Sequence, residues 1–183
     1  MTIQGVNAAT GYGSLYQAAA GGEMSAESLL IFCKKQLDGI NGEINDCMKR
    51  QEQLQATKQL LAQLKDALGA FAADLKGDGH WDNVRKAFEE AINGLPEGDP
   101  MRAALQSQMN EMWGKYQTTG PNKEQLQAEI AKVDTLFEEV KGNMEINMLR
   151  LQSAVSSKQT QMQLVTNMLS KQDQTMLSIA KNV

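Results

Sequence analysis

The chain has 183 residues, of which 42% are hydrophobic and 5% aromatic, a length of about one domain that leaves no room for a large enzyme core with accessory modules. Its net charge of −4 sits in the middle: residues 77–121 carry four basic and seven acidic side chains, Glu23 adds one more acid, and residues 25–76 and 122–183 each carry seven of either sign. No basic face or tail is available to neutralise phosphates, which argues against nucleic acid, and no stretch approaches the roughly 18 apolar residues of a membrane span, which argues against stable membrane insertion.

Residues 1–24, beginning MTIQGVNAATGYGS, are rich in Gly, Ala, Ser, Thr and Asn and have no usable period. They lack the basic and apolar regions of a secretory signal peptide and are expected to form a disordered tail. Ser25 is suited to be an N-cap, with Glu27 favourably placed in the first turn. A first long helix is then expected over residues 25–76, stopped by Gly77, Asp78 and Gly79. From Leu30, alternate steps of three and four reach Cys33, Leu37, Ile40, Ile44, Cys47, Gln51 and Leu54, then Lys58, Leu61, Lys65, Leu68, Ala72 and Leu75. A narrow seam held this long is a coiled-coil pattern. Past Leu54 the stripe drifts, so that Leu61, Leu64, Leu68, Phe71 and Leu75 make the better face. Gly39 and Gly42 lie off the seam, where each weakens the helix by about 1 kcal/mol or admits another backbone. Cys33 and Cys47 fall on the seam fourteen residues apart, roughly 21 Å along one straight helix and too far for a bridge. They read as small seam residues, with a disulfide between parallel copies as the alternative.

Residues 77–121 change character. Trp81, Val84, Phe88, Ile92 and Leu95 fit a short amphipathic helix from about Asp82 to Asn93. The run Asn93-Gly94-Leu95-Pro96-Glu97-Gly98-Asp99-Pro100 is a turn, and Asp99-Pro100 has the cap-then-proline order of a helix start. Leu105, Met109, Met112, Trp113 and Tyr116 give the next helix an apolar face, closed by Thr118-Thr119-Gly120-Pro121. This segment is expected to be an inserted helical hairpin that packs on the coiled coil with both tryptophans.

A last helix is expected over residues 122–183. Its seam runs Leu126, Ile130, Val133, Phe137, Val140, Met144, Met148, Leu151, Val155, Lys158, Met162, Val165, Leu169, Gln172, Met176, Ile179 and Val183. Two four-residue steps at Val140, Met144 and Met148 predict a stutter. Beyond Gly142, Gln, Ser, Thr, Asn and Met dominate, and apolar residues appear on a second side at Met144, Leu149, Leu164, Met168 and Leu177. A helix apolar on two sides needs two partners: the first helix for one seam, and the inserted hairpin or another protein for the other. The seam residues are thus Leu30, Leu37, Ile40, Ile44, Leu54, Leu61, Leu68 and Leu75 against Val133, Phe137, Val140, Leu151 and Val155. Leu164, Met168, Met176, Leu177 and Ile179 are the expected contact with other subunits, since methionines beside uncharged Gln side chains make an adaptable surface. The economical all-α topology is an antiparallel hairpin of the two long helices, roughly 75–90 Å in length.

Chemistry is hard to place. The only histidine, His80, lies in Asp74-Leu75-Lys76-Gly77-Asp78-Gly79-His80-Trp81-Asp82, but a calcium loop from Asp74 would put Lys76 and Arg85 at ligand positions. There is no zinc spacing, phosphate loop or nucleophile motif, and the adjacent pairs Glu89-Glu90 and Glu138-Glu139 diverge on their helices. Neither an enzyme nor a cofactor is expected.

Taken together, the uncleaved start MTIQGVNAATGYGS, the long helix from Ser25, the inserted middle and the polar last helix resemble the hydrophilic translocators of bacterial type III secretion systems. These proteins form needle tips or extend the needle as a filament. The likeness is architectural, covers residues 25–183, and looks strongest over the segment from Asn143 through Val183. It implies that residues 1–24 include an export signal, that the coiled coil is a stalk, and that residues 77–121 form a head facing the hydrophobic translocators or host cell. It also implies secretion to the bacterial surface, with the last helix touching the needle subunit or neighbouring copies and a cytosolic chaperone covering it before export. Several tip proteins carry larger inserts, so this chain would be a compact or filament-forming member. A competing expectation is a cytosolic coiled-coil adaptor or chaperone that holds a partner helix.

Overall fold

The computed structural model describes residues 26–76, 80–116 and 120–181, without the side chains of Ala26, Glu27, Gln172, Thr175, Met176, Ile179 and Ala180. The expected tail, Ser25, the stop at Gly77-Asp78-Gly79 and Thr118-Thr119 lie outside the described residues. The fold is all-α among the described residues: α1 is Ala26–Ala73, α2 His80–Gly94, α3 Pro100–Tyr116 and α4 Lys123–Lys181. The long helices α1 and α4 pack on each other, and α2 and α3 form a helical hairpin inserted between them.

Local chemistry sets the helix ends. Asp99 Oδ1 accepts the Met101 N–H at 2.8 Å, and Pro100 occupies the first helical position, where no donor is needed. Ahead of it Gly98 supplies a φ of 85° that other residues adopt at a cost. Asn122 and Gln125 make a reciprocal capping box at the start of α4: the Gln125 N–H donates to Asn122 Oδ1 and the Asn122 N–H to Gln125 Oε1, both at 2.8 Å.

The chain divides into two compact units. The first, Cys47–Arg150, surrounds one core with all four helices. Leu61, Leu64, Leu68 and Phe71 of α1 meet Val84, Phe88 and Ile92 of α2, Leu105 and Met112 of α3, and Leu126, Val133 and Val140 of α4. The pairing of α1 with α4 is antiparallel. Asn147 reaches Cys47 and Gln51, Lys58 lies 5.7 Å from the centre of the Phe137 ring, and Lys65 bonds Asp134 at 2.6 Å, so one number falls as the other rises.

Heptad positions explain the drift past Leu54. With the repeating residues Cys47, Leu54, Leu61 and Leu68 set at d, the second inward row of α1 moves from Gln51 at a to Thr57, Leu64 and Phe71 at g. The inserted hairpin packs on this g side. Leu60 fills the place a Cβ on Gly94 would take, and Phe71 meets Trp81 edge-on at 5.2 Å. Lys65 keeps its a position at the edge, 47% exposed, so an apparent break in the seam is an ordinary surface residue. Leu75 corrects the expected seam: α1 stops at Ala73, so Leu75 stands in the following turn, 42% exposed, where no helical phase turns it inward.

The second unit joins residues 26–46 with 151–181. Leu29 and Cys33 of α1 and Ala154 and Gln161 of α4 are buried there, while Leu30, Leu37, Ile40 and Ile44 are half-buried. Burial pushes the Cys33 thiol up from its ordinary value, which keeps it protonated and unreactive at neutral pH. Among the described residues nothing lies within 4 Å of where a Cβ on Gly39 or Gly42 would stand, so no described backbone uses the space they leave.

Leu64→Ala is expected to lower stability by about 3 kcal/mol, because it opens a cavity where all four helices meet. Leu75→Ala should change it by less than about 0.5 kcal/mol. Urea denaturation of the two variants checks the contrast.

Candidate interaction surface along the last helix

One row of α4 is buried at strict seven-residue intervals: Leu126, Val133, Val140, Asn147, Ala154 and Gln161. These are its d positions. The a row, Ile130, Phe137, Met144, Leu151, Lys158 and Val165, is half-buried throughout. The expected stutter at Met148 is therefore absent, and after Met144 the seam steps to Asn147. Sequence reading followed the apolar residues, whereas the helix keeps its phase and buries polar and small ones instead. Val155 is corrected with it: at 40% exposure it stands one residue beyond the seam, next to buried Ala154.

Asn147 shows what holds the phase. Its Nδ2 donates to the Cys47 carbonyl at 2.8 Å and to Gln51 Oε1 at 3.0 Å. A buried amide satisfied only in one pairing of the helices selects that pairing over its neighbours. Gln161 occupies the same d row two heptads later, is 1% exposed, and has a hydrogen-bond partner for neither Nε2 nor Oε1. Leaving such a group dry and unpaired costs about 1–3 kcal/mol.

On the other side of the a row from the d row runs the e row, and its character changes along the helix. Gln127, Asp134 and Lys141 are polar, whereas Met148, Val155, Met162 and Leu169 are apolar. The last three belong to the unit containing residues 151–181 and are 40%, 53% and 45% exposed. They are flanked by Gln152, Gln159 and Thr166, and Lys158 is the only charged residue between Leu151 and Ser170. The surface is thus a neutral apolar ridge with amide and hydroxyl edges.

The residues expected to contact other subunits are scattered around this ridge. Leu164 is half-buried at a g position, Met168 is half-buried on the seam itself, and Leu177 is 61% exposed. The side chains of Met176 and Ile179 lie outside the described residues. Met162 and Leu169, which the apolar spacing puts on the inward seam, stand on this ridge instead.

In the unit Cys47–Arg150 the hairpin carries the polar chemistry. Gln108 Nε2 donates to both the Glu129 carbonyl and Glu129 Oε2 at 3.0 Å, fastening α3 to α4 across a dry contact. Lys132 completes the cluster by bonding Glu129 at 3.1 Å and Glu111 at 3.4 Å. Desolvation works against the Lys132 charge, yet the hydrogen bond and charge of Glu129, with Glu111 behind them, hold its pKa above the usual lysine value. A hydrogen bond from Lys115, then the nearby charges of Lys132 and Lys115, hold the exposed Glu111 carboxyl below the usual range. Any contribution from that charge is present at neutral pH and is lost as pH falls through the lowered value. Phe71, Trp81, Trp113 and Phe88 form a chain of edge-on ring contacts, and His80 stacks on Phe71 at 5.7 Å. The imidazole is thus engaged in packing, with Asp74 at 3.9 Å. Among the described residues no three His, Cys, Asp or Glu side chains gather as a metal site would require. No helix is long and apolar enough to cross a membrane among the described residues.

No protein-family model, characterised protein or solved structure matches the chain.

Asn147→Ala is expected to lower stability by about 1–2 kcal/mol, because the half-buried Gln51 amide oxygen loses its donor. Chemical denaturation beside the wild-type chain measures it.

Proposed function

We propose that this chain is a secreted structural protein that assembles at the tip of a type III secretion needle, or as a filament extending it, and supports effector translocation. The observation that carries the reading is the exposed ridge of Val155, Met162 and Leu169 on a nearly uncharged helical segment. Leaving three large apolar side chains in water at seven-residue spacing forgoes stabilisation that a partner helix would recover. The paired long helices with an inserted hairpin fit the architecture that the secretion family implies, with the hairpin as head and the helix pair as stalk. Self-association, a needle subunit, the hydrophobic translocators and a chaperone before export are the partners in this reading.

Two measurements test it. In the native host the chain should appear in culture supernatant with residues 1–24 intact, and deleting those residues should abolish release. A chain that stays inside the cell in both forms would instead be the cytosolic adaptor. Met162→Asp should leave helicity by circular dichroism unchanged while weakening self-association at least tenfold in sedimentation, since it places an unpaired charge in an apolar contact. An unaltered assembly would show that the ridge is not the contact.

A further inference from the structure

Beyond Asn147, α4 has two candidate inner rows one residue apart, and the poorer one is turned inward. The d row there offers Ala154 and Gln161, both at most 3% exposed, then half-buried Met168, and Gln161 satisfies neither end of its amide. The e row offers Val155, Met162 and Leu169, all at least 40% exposed. Both rows border the same a row of Leu151, Lys158 and Val165, which is half-buried. In a heptad, d and e lie on opposite sides of a, each roughly 50° from it. Passing from an a/d contact to an a/e contact is therefore a roll of the helix by roughly 50° about its own axis, without breaking a backbone hydrogen bond. The spacing needed for it is already in the chain: a four-residue step from Met144 to Met148 in place of the three-residue step to Asn147 is a stutter, which coiled coils absorb by local unwinding.

We propose that residues 151–169 of α4 are a two-state segment that gives up its a/d contact with α1 for an a/e contact with the same segment of a second copy of this chain. In the free chain Gln161 is buried and Met162 exposed. In the assembly Met162, Val155 and Leu169 are buried and Gln161 reaches water, so the energy stored in its unpaired amide is released by association. The inference rests on the self-assembly reading above.

A second copy is the fitting occupant because the ridge is self-complementary. With Lys158 alone charged from Leu151 to Ser170, two such faces meet without a field of like charges. The flanking Gln152, Gln159 and Thr166 each carry both donor and acceptor, so each can bond its own counterpart. A strongly charged partner would find nothing here to neutralise it.

Thiol labelling reads the roll directly. In a full-length background with Cys33→Ala and Cys47→Ala, Gln161→Cys and Met162→Cys are made separately and treated with a maleimide, first dilute and then assembled. In the dilute chain the thiol at 162 should react at least tenfold faster than that at 161, and in the assembly the order should reverse. A thiol at 162 that slows while that at 161 stays slow would show a second copy covering the ridge without a roll, which overturns the proposal and leaves self-assembly intact. Gln161→Leu gives an independent reading that does not depend on an introduced thiol. It should raise the thermal midpoint by several degrees and weaken assembly at least tenfold, because it favours the resting seam. Equal or tighter assembly of that variant overturns the roll. A wild-type chain that stays monomeric at every concentration in sedimentation overturns the self-assembly reading, and the roll with it.

Discussion

The amide of Asn147, bonded across the seam to the Cys47 carbonyl and to Gln51, fixes which faces of α1 and α4 look at each other, and much of the arrangement follows from that phase. Hydrophobic burial alone specifies pairing loosely, because Met148 would serve a seam at least as well as Asn147. A polar group that is satisfied in one register and stranded in the others discriminates where apolar area does not. With the phase held, residues seven apart recur on the inner face whatever their chemistry, so Ala154 and Gln161 are buried and Val155 and Met162 are not.

The inserted hairpin uses the same phase from the other side. In the unit Cys47–Arg150 it packs on the g side of the helix pair, where Thr57, Leu64 and Phe71 face it from α1 and Glu129 from α4. The e side there is polar at Gln127, Asp134 and Lys141. The two flanks thus differ: one side is filled with large side chains and the Gln108–Glu129 bond, and the other carries polar residues, of which Asp134 bonds Lys65 of α1. A helix whose apolar residues exceed one face needs further partners, and the composition of α4 changes where that excess begins.

The polar contacts divide into those that matter for stability and those that do not. Glu129 is buried and bonded by Gln108 and Lys132, so removing either partner would strand a charge in a dry contact. Arg85–Glu89, Lys86–Glu90 and Lys141–Glu138 are exposed pairs on single helices, worth a few tenths of a kcal/mol each and weakened by salt. Coiled-coil proteins with such surfaces act through shape and contact, which is the reading the functional proposal takes for this chain.

The sequence by itself determined that the described residues are helical, that a short helical hairpin stands between two long helices, and how α3 begins. Asp99-Pro100, Gly98 and the Asn122–Gln125 box act over a few residues, and short-range chemistry of that kind is written in the order of the chain. It also carried the drift of α1 toward Leu64 and Phe71, because a wide apolar face shows in its spacing. Which of the two rows of α4 that flank its a row turns inward was decided only by the tertiary structure. Asn147 looks like a break in the pattern until its partners, one hundred residues away on α1, are in place. For the same reason Gln161 could be recognised as a buried, unpartnered amide only after the long helices had met: burial is a property of the pair, and no window along one helix contains it.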